Sequence, residues 1–187
     1  MVKIIKKIFF IAIYYMNLPI KKDTIFVSLA SYRDSECSLT LDNLFSMAKF
    51  PHNIFVGICQ QNDSNDPECI NDKYLNNPNI RIIRLPHTAA KGPTYARFLC
   101  STLWDREEYF FQIDSHLLFV KNWDTLAIDM IKRIKQSDLS QKPILSHYTK
   151  DTSEYRNYNQ DNPEHRFNVP AICKSFFNDR GIRDNKY

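Results

Sequence analysis

The chain has 187 residues, 43% hydrophobic, 13% aromatic and 25% charged, which suits one globular domain with a substantial core and excludes wholesale disorder. Its formal net charge is +4, and apart from Lys3, Lys6, Lys7 and the pair Lys21, Lys22 the basic residues are scattered, so no nucleic-acid partner is indicated. Gly57, Gly92 and Gly181 are the only glycines and match neither a P-loop nor a dinucleotide fingerprint, so a nucleotide would have to be held another way.

The five cysteines, Cys37, Cys59, Cys69, Cys100 and Cys173, are odd in number and lack Cys-x-x-Cys spacing. Neither a zinc knuckle nor a disulfide scaffold is expected, and a reducing, cytoplasmic compartment fits best. Asn62-Asp63-Ser64 matches a glycosylation sequon, which matters only in a secreted chain.

From the N-terminus, Lys3, Lys6 and Lys7 precede an apolar run from Ile8 to Met16. It is well short of the roughly twenty residues of a spanning helix, and no small-residue cleavage site follows. Residues 1–22 therefore read as an extension, a helix packed on the domain or in weak contact with a membrane surface through residues 3–16, with a signal anchor as the lesser reading. Residues 23–187 form the domain.

Ile25 to Ala30 is a β-rich run ending in the polar turn Ser31-Tyr32-Arg33-Asp34. Leu41, Leu44, Phe45 and Ala48 at helical spacing predict a helix over 36–50, closed by Pro51. A second strand follows over Ile54 to Cys59. The polar stretch from Gln60 to Asn79 is then a long loop with a short helix around Cys69 to Leu75, and Ile80 to Leu85 is a third strand. Gly92-Pro93 opens a helix striped with Ala96, Leu99, Cys100 and Leu103. Glu108 to Ile113 is a fourth strand, Asn122 caps a helix with the face Trp123, Ala127, Met130, Ile131 and Ile134, and Ile144 to Tyr148 is a candidate fifth strand. Strands alternating with helices imply an at least partly parallel α/β sheet, with Ser31, Tyr32, Arg33, Gln60, Gln61 and Asp114 at its ligand-binding edge.

The fourth strand runs into Asp114-Ser115-His116. Strand alternation puts Asp114 and His116 on one side, where a carboxylate and an imidazole can reach one ion, and turns Ser115 the other way. The competing reading makes Asp114 a turn cap and His116 an ordinary half-buried ring. Arg33 and Arg97 are cations suited to a diphosphate, Tyr32 can stack on a base, and Lys91 is either a phosphate contact or an exposed loop lysine. Glu107-Glu108 and the pair Asp63, Asp66 read as solvated turns. His87 reads as a loop histidine, and His147 as core or cleft. No Ser-His-Asp or Cys-His set can be assembled from spacing.

Together, Ile25-Phe26-Val27-Ser28-Leu29-Ala30-Ser31-Tyr32-Arg33-Asp34, Lys91-Gly92-Pro93-Thr94-Tyr95-Ala96-Arg97 and Gln112-Ile113-Asp114-Ser115-His116 resemble the N-acetylglucosaminyltransferase family whose best-known members modify hydroxyproline on the Skp1 protein. The resemblance spans roughly Thr24 to Tyr148. It implies a GT-A, Rossmann-like nucleotide-sugar-binding sandwich with a mostly parallel central sheet. It also implies a UDP-sugar donor, UDP-GlcNAc first, a protein or glycan acceptor, and a divalent metal, Mn2+ or Mg2+. Asp114 and His116 would be the metal motif. Ser28, Ala30, Ser31, Tyr32 and Arg33 would surround the uridine, with Arg97, Lys91, Asp114 and Ser115 completing the donor site. Members of that family are similar to one another over a longer catalytic region, so the domain is expected to be incomplete at its C-terminus. An inactive remnant that binds nucleotide sugar or a protein partner is the alternative to a working transferase.

Overall fold

The computed structural model describes residues 18–147, 174–177 and 183–186. The expectations for residues 1–17 lie outside the described residues. No helix among the described residues is long and apolar enough to cross a membrane. The chain divides into two compact units, residues 1–125 and 126–187.

The first unit contains strands β1 (Lys21–Tyr32), β2 (Ile54–Asn62), β3 (Ile80–Pro86) and β4 (Glu107–Asp114), with helix α1 (Cys37–Met47) between β1 and β2 and helix α2 (Pro93–Ser101) between β3 and β4. All strand pairs are parallel and the order is β3-β2-β1-β4. This is a mixed α/β fold built on a four-stranded all-parallel sheet, Rossmann-like as the alternation of elements predicts. β1 lies inside the sheet with both faces covered, so Ile25 to Leu29 are buried without interruption.

The two faces carry different helices. Ala30 and Leu85 on one face pack with Cys59, Ala96, Cys100 and Leu99, so α2 lies on that face. Gly57, on the same face, lies under the ring of Phe26 and the carbonyl of Cys100, and a Cβ there would collide with the ring. On the opposite face Phe111 of β4 packs against Phe119 and Trp123, and the Trp123 indole donates to Leu44 O of α1 at 2.9 Å. Helices on opposite faces are what right-handed crossovers require when the chain moves from β1 toward β3 and then returns past β1 to β4.

Several local expectations are corrected. Glu107, read as solvated, is buried at the start of β4, where its carboxylate accepts from Arg81 at 2.8 Å and from Lys21 at 3.2 Å. The turn from Cys69 to Leu75 contains only a single 3-10 turn, Asp72–Tyr74. Cys37 and Cys69 form a disulfide across a sequence separation of 32, against the expectation of none, because the loop after β2 folds back onto the start of α1. Asn122 has φ 61°, a left-handed conformation that asparagine tolerates better than most residues, whereas a helix-capping residue takes extended backbone.

Helix α3 (Trp123–Gln136) begins in the first unit with Trp123 and Asp124 buried. Asp124 accepts from the backbone N–H groups of Lys49 and Phe50, both at 2.8 Å, satisfying donors just past the end of α1. In the second unit Met130, expected on the buried face, is exposed. Residues 144–147 form no strand and His147 is exposed; Tyr148 lies outside the described residues. That unit also contains an antiparallel pair, β5 (Lys174–Phe177) and β6 (Arg183–Lys186).

Candidate functional site

The chain moves one way from β1 through β2 to β3, then returns to place β4 on the other flank of β1. Open parallel sheets bind ligands outside the carboxyl ends of their strands where the strand order reverses. Here that point is the crevice between the ends of β1 and β4, where Ala30 is in register with Asp114. Both the Ser31-Tyr32-Arg33-Asp34 turn and Asp114-Ser115-His116 emerge there.

Burial alternates at the end of β4: Ile113 and Ser115 are buried, Asp114 and His116 exposed. The Asp114 side chain is 56% exposed and its Oδ1 accepts from an Arg97 guanidinium N–H at 2.8 Å. His116 is 59% exposed at its side chain, with Nδ1 2.8 Å from Oδ2 of Asp34. Ser115 points inward, yet its hydroxyl donates to the same Asp34 oxygen at 2.6 Å.

Asp34 was not singled out in the sequence beyond its place in a polar turn, and it is where the two strand ends meet. Its Oδ1 accepts from the Glu36 N–H at 2.8 Å, so its two carboxylate oxygens face three partners. Burial works against its ionisation, but the hydrogen bonds from Ser115, His116 and the Glu36 N–H outweigh it and hold the carboxyl below its ordinary range. The hydrogen bond to Asp34 raises the His116 imidazole, partly offset by burial and reinforced by the charges of Asp34 and Asp114. A signal for Asp34 did exist: an acidic residue directly after a strand-ending turn can form a side-chain turn with the backbone two residues on.

The other β1 residues divide sharply. Ser28 and Ser31 are buried and their side chains belong to the interior, since both faces of β1 are covered. Ala30 is partly buried against the Cys59, Ala96 and Cys100 cluster. Tyr32 projects into solvent, 55% exposed. Arg33, at φ 51°, turns the chain out of the strand, and its guanidinium grips Asp66 through Nε at 2.8 Å and a second nitrogen at 3.2 Å. Asp66, read as a solvated turn residue, is thus the anchor for Arg33, and the hydrogen bond from Arg33 is the main cause of its lowered pKa.

Gln60 and Gln61, expected to face the ligand, are buried. Gln60 bridges Glu68 and the Cys69 N–H, at 3.0 and 2.9 Å, and so anchors the loop after β2, while Gln61 Nε2 donates to Ser31 O of β1 at 3.4 Å. His87 lies 3.5 Å from Asp63. Lys91, exposed before α2, stands 5.3 Å over the ring of Tyr95.

No cluster of three or more metal-ligating side chains occurs among the described residues. Asp114 and His116 are a pair, one carboxylate and one imidazole on the exposed side of the same strand end. Such a pair fits a divalent ion that completes its shell with water and phosphate oxygens, the usual habit of Mg2+ and Mn2+ at nucleotide sites.

A cavity of about 530 Å³ lined by residues including Phe45, His52, Lys73, Tyr74 and Asn79 lies at the amino ends of β2 and β3, away from this crevice.

The sheet and its switch point define a Rossmann-like α/β protein. Within that class, the model of the glycosyltransferase (GlcNAc) family matches residues 24–77 and 71–186, and the chain belongs to this family of glycosyltransferases. No curated protein matches it. Nucleotide sugars and acceptors are the general partners of such enzymes.

Proposed function

We propose that the chain transfers N-acetylglucosamine from UDP-GlcNAc to a hydroxyl group of a protein or glycan, with Mn2+ or Mg2+ at Asp114 and His116 in a GT-A-type arrangement. The observation that carries this reading is the convergence of the Ser31-to-Asp34 turn and Asp114-Ser115-His116 at the β1/β4 switch point. A hydroxyproline-bearing protein such as Skp1 is the first acceptor to try, on the resemblance of the three motifs.

On this reading each residue has a definite task. Arg97 holds the Asp114 carboxylate through one terminal guanidinium nitrogen and offers the other to a phosphate, its Nε being buried. Tyr32 provides an exposed ring on which uracil stacks, and Arg33, tied to Asp66, holds the turn that presents it. Lys91 adds positive charge at the neighbouring loop. A divalent ion held by Asp114 and His116 would supply Lewis-acid stabilisation of the UDP leaving group. Charge neutralisation matters more here than a strong protein acid, since the leaving group is already a stabilised anion.

The test is calorimetry of UDP-GlcNAc with the purified chain, with and without manganese, and with Asp114→Ala as control. Metal-dependent binding that disappears in Asp114→Ala while the melting temperature holds is the expected result. Binding that ignores both the metal and the substitution would sink the reading.

A further inference from the structure

His116 is exposed and would be free to rotate, yet one of its ring nitrogens is already engaged. Nδ1 lies 2.8 Å from Oδ2 of Asp34, and that carboxylate also accepts from the Ser115 hydroxyl at 2.6 Å and from the Glu36 N–H at 2.8 Å. An ionised carboxylate can only accept, so the imidazole nitrogen facing it must carry the proton. In the neutral ring this leaves the lone pair on Nε2.

Both sides of this contact are fixed. Asp34 follows Arg33, whose N–H donates to Gln61 O at 3.1 Å and whose guanidinium is clamped by Asp66. On the other strand end, the buried Thr40 hydroxyl donates to Ser115 O and accepts from the Leu117 N–H, both at 2.9 Å, so helix α1 grips the backbone on either side of His116. The ring is therefore held between two anchored segments that are far apart in the chain.

We propose that Asp34 is a positioning residue that fixes His116 as the Nδ1–H tautomer and so presents Nε2 as the metal-binding nitrogen beside Asp114. The inference rests on the reading of Asp114 and His116 as metal ligands. A carboxylate behind a ligating imidazole fixes the ring's orientation and raises its basicity, and its loss typically lowers metal affinity about 10- to 100-fold.

The tautomer is read by long-range proton–nitrogen correlation on chain labelled with 15N at its five histidines, with His116→Gln assigning the resonance. In buffer alkaline enough to leave the ring neutral, Nδ1 protonated and Nε2 bare in the metal-free wild type is the expected pattern. A majority Nε2–H tautomer overturns the proposal, and this readout needs no variant at Asp34 to fold.

The second arm measures manganese affinity in the presence of UDP for wild type, Asp34→Asn and Asp34→Ala, with thermal melting as a check on folding. A loss of about 10- to 100-fold in Asp34→Ala is expected. A wild type that binds manganese and an equally good, folded Asp34→Ala overturn the role of Asp34 alone. A wild type that binds no manganese, with or without UDP, removes the metal reading of Asp114 and His116 and takes the role of Asp34 with it.

Discussion

Arg97 and Asp114 show how one contact can serve two purposes. Their bond of 2.8 Å pairs a guanidinium fork with a carboxylate at the strand ends, and the proposed function gives the second terminal nitrogen of that fork to a phosphate. Arg97→Ala is therefore expected to weaken UDP by about tenfold or more, the range of a hydrogen bond to a charged group, while uridine changes little. Equal losses for UDP and uridine, measured side by side by calorimetry, would refute a phosphate partner. The Asp34–His116 pair makes a different prediction, one of pH. His116 has a folded pKa above its ordinary 6.5, so its contribution to stability is complete below that value and is lost as pH rises through the raised one. Asp34 has a folded pKa below 3.8, so its contribution is present above that value and is lost as pH falls. The difference in urea midpoint between wild type and His116→Gln should thus be largest in mildly acidic buffer and shrink as pH rises above 6.5. A difference that grows with pH would reverse the assignment. At this scale the Asp114-x-His116 spacing was readable from strand alternation and Arg97 was placed near Asp114 by resemblance, whereas the direct contacts of Arg97 with Asp114 and of Asp34 with His116 were not readable, since they join residues 17 and 82 apart.

Among elements, the turn after β1, helix α1 and the loop after β2 act together. The Cys37–Cys69 disulfide ties the first residue of α1 to that loop, and Gln60 and Asp66 tie the same loop to β2 and to Arg33. Closing a loop of this length is worth about 3–4 kcal/mol in the chain-entropy picture. Cys37→Ser with Cys69→Ser should lower unfolding free energy by about that amount, and the oxidised chain should weigh two hydrogens less than the reduced one in non-reducing mass spectrometry. Identical urea midpoints for oxidised and reduced protein would remove the disulfide from the account. Periodicity predicted the strands to within a few residues at each end, because a buried parallel strand is an apolar run between polar turns. It failed at residues 144–147, where a short apolar run has no neighbouring strand within the described residues to pair with. The disulfide was hidden because odd cysteine numbers and wide spacing say nothing about which thiols the fold brings together.

Across the whole first unit, the two ends of the sheet do opposite work. At the amino ends the Glu107 side chain, with no solvent exposure, is held by Arg81 and Lys21, while the carboxyl ends of β1 and β4 leave Tyr32, Asp114 and His116 in solvent. Burial opposes the Glu107 charge, and the hydrogen bond from Arg81 leads the interactions that keep it ionised with a lowered pKa. Removing one member of such a set leaves the others without their counter-charge, so Glu107→Ala should cost about 3 kcal/mol in urea unfolding and leave nucleotide affinity unchanged. A folded variant with lost nucleotide affinity would show that the two ends are coupled. Composition, period and turn residues were enough to establish an α/β chain with strands ending in polar turns, because each of those features is a local steric or solvation preference. The order β3-β2-β1-β4 was decided only by tertiary structure, as were the burial of Ser28, Ser31 and Glu107 and the meeting of Asp34 with His116. A strand does not carry the identity of its neighbour in its own residues. That choice is made by packing both faces of the sheet at once, and it brings the residues of the site together.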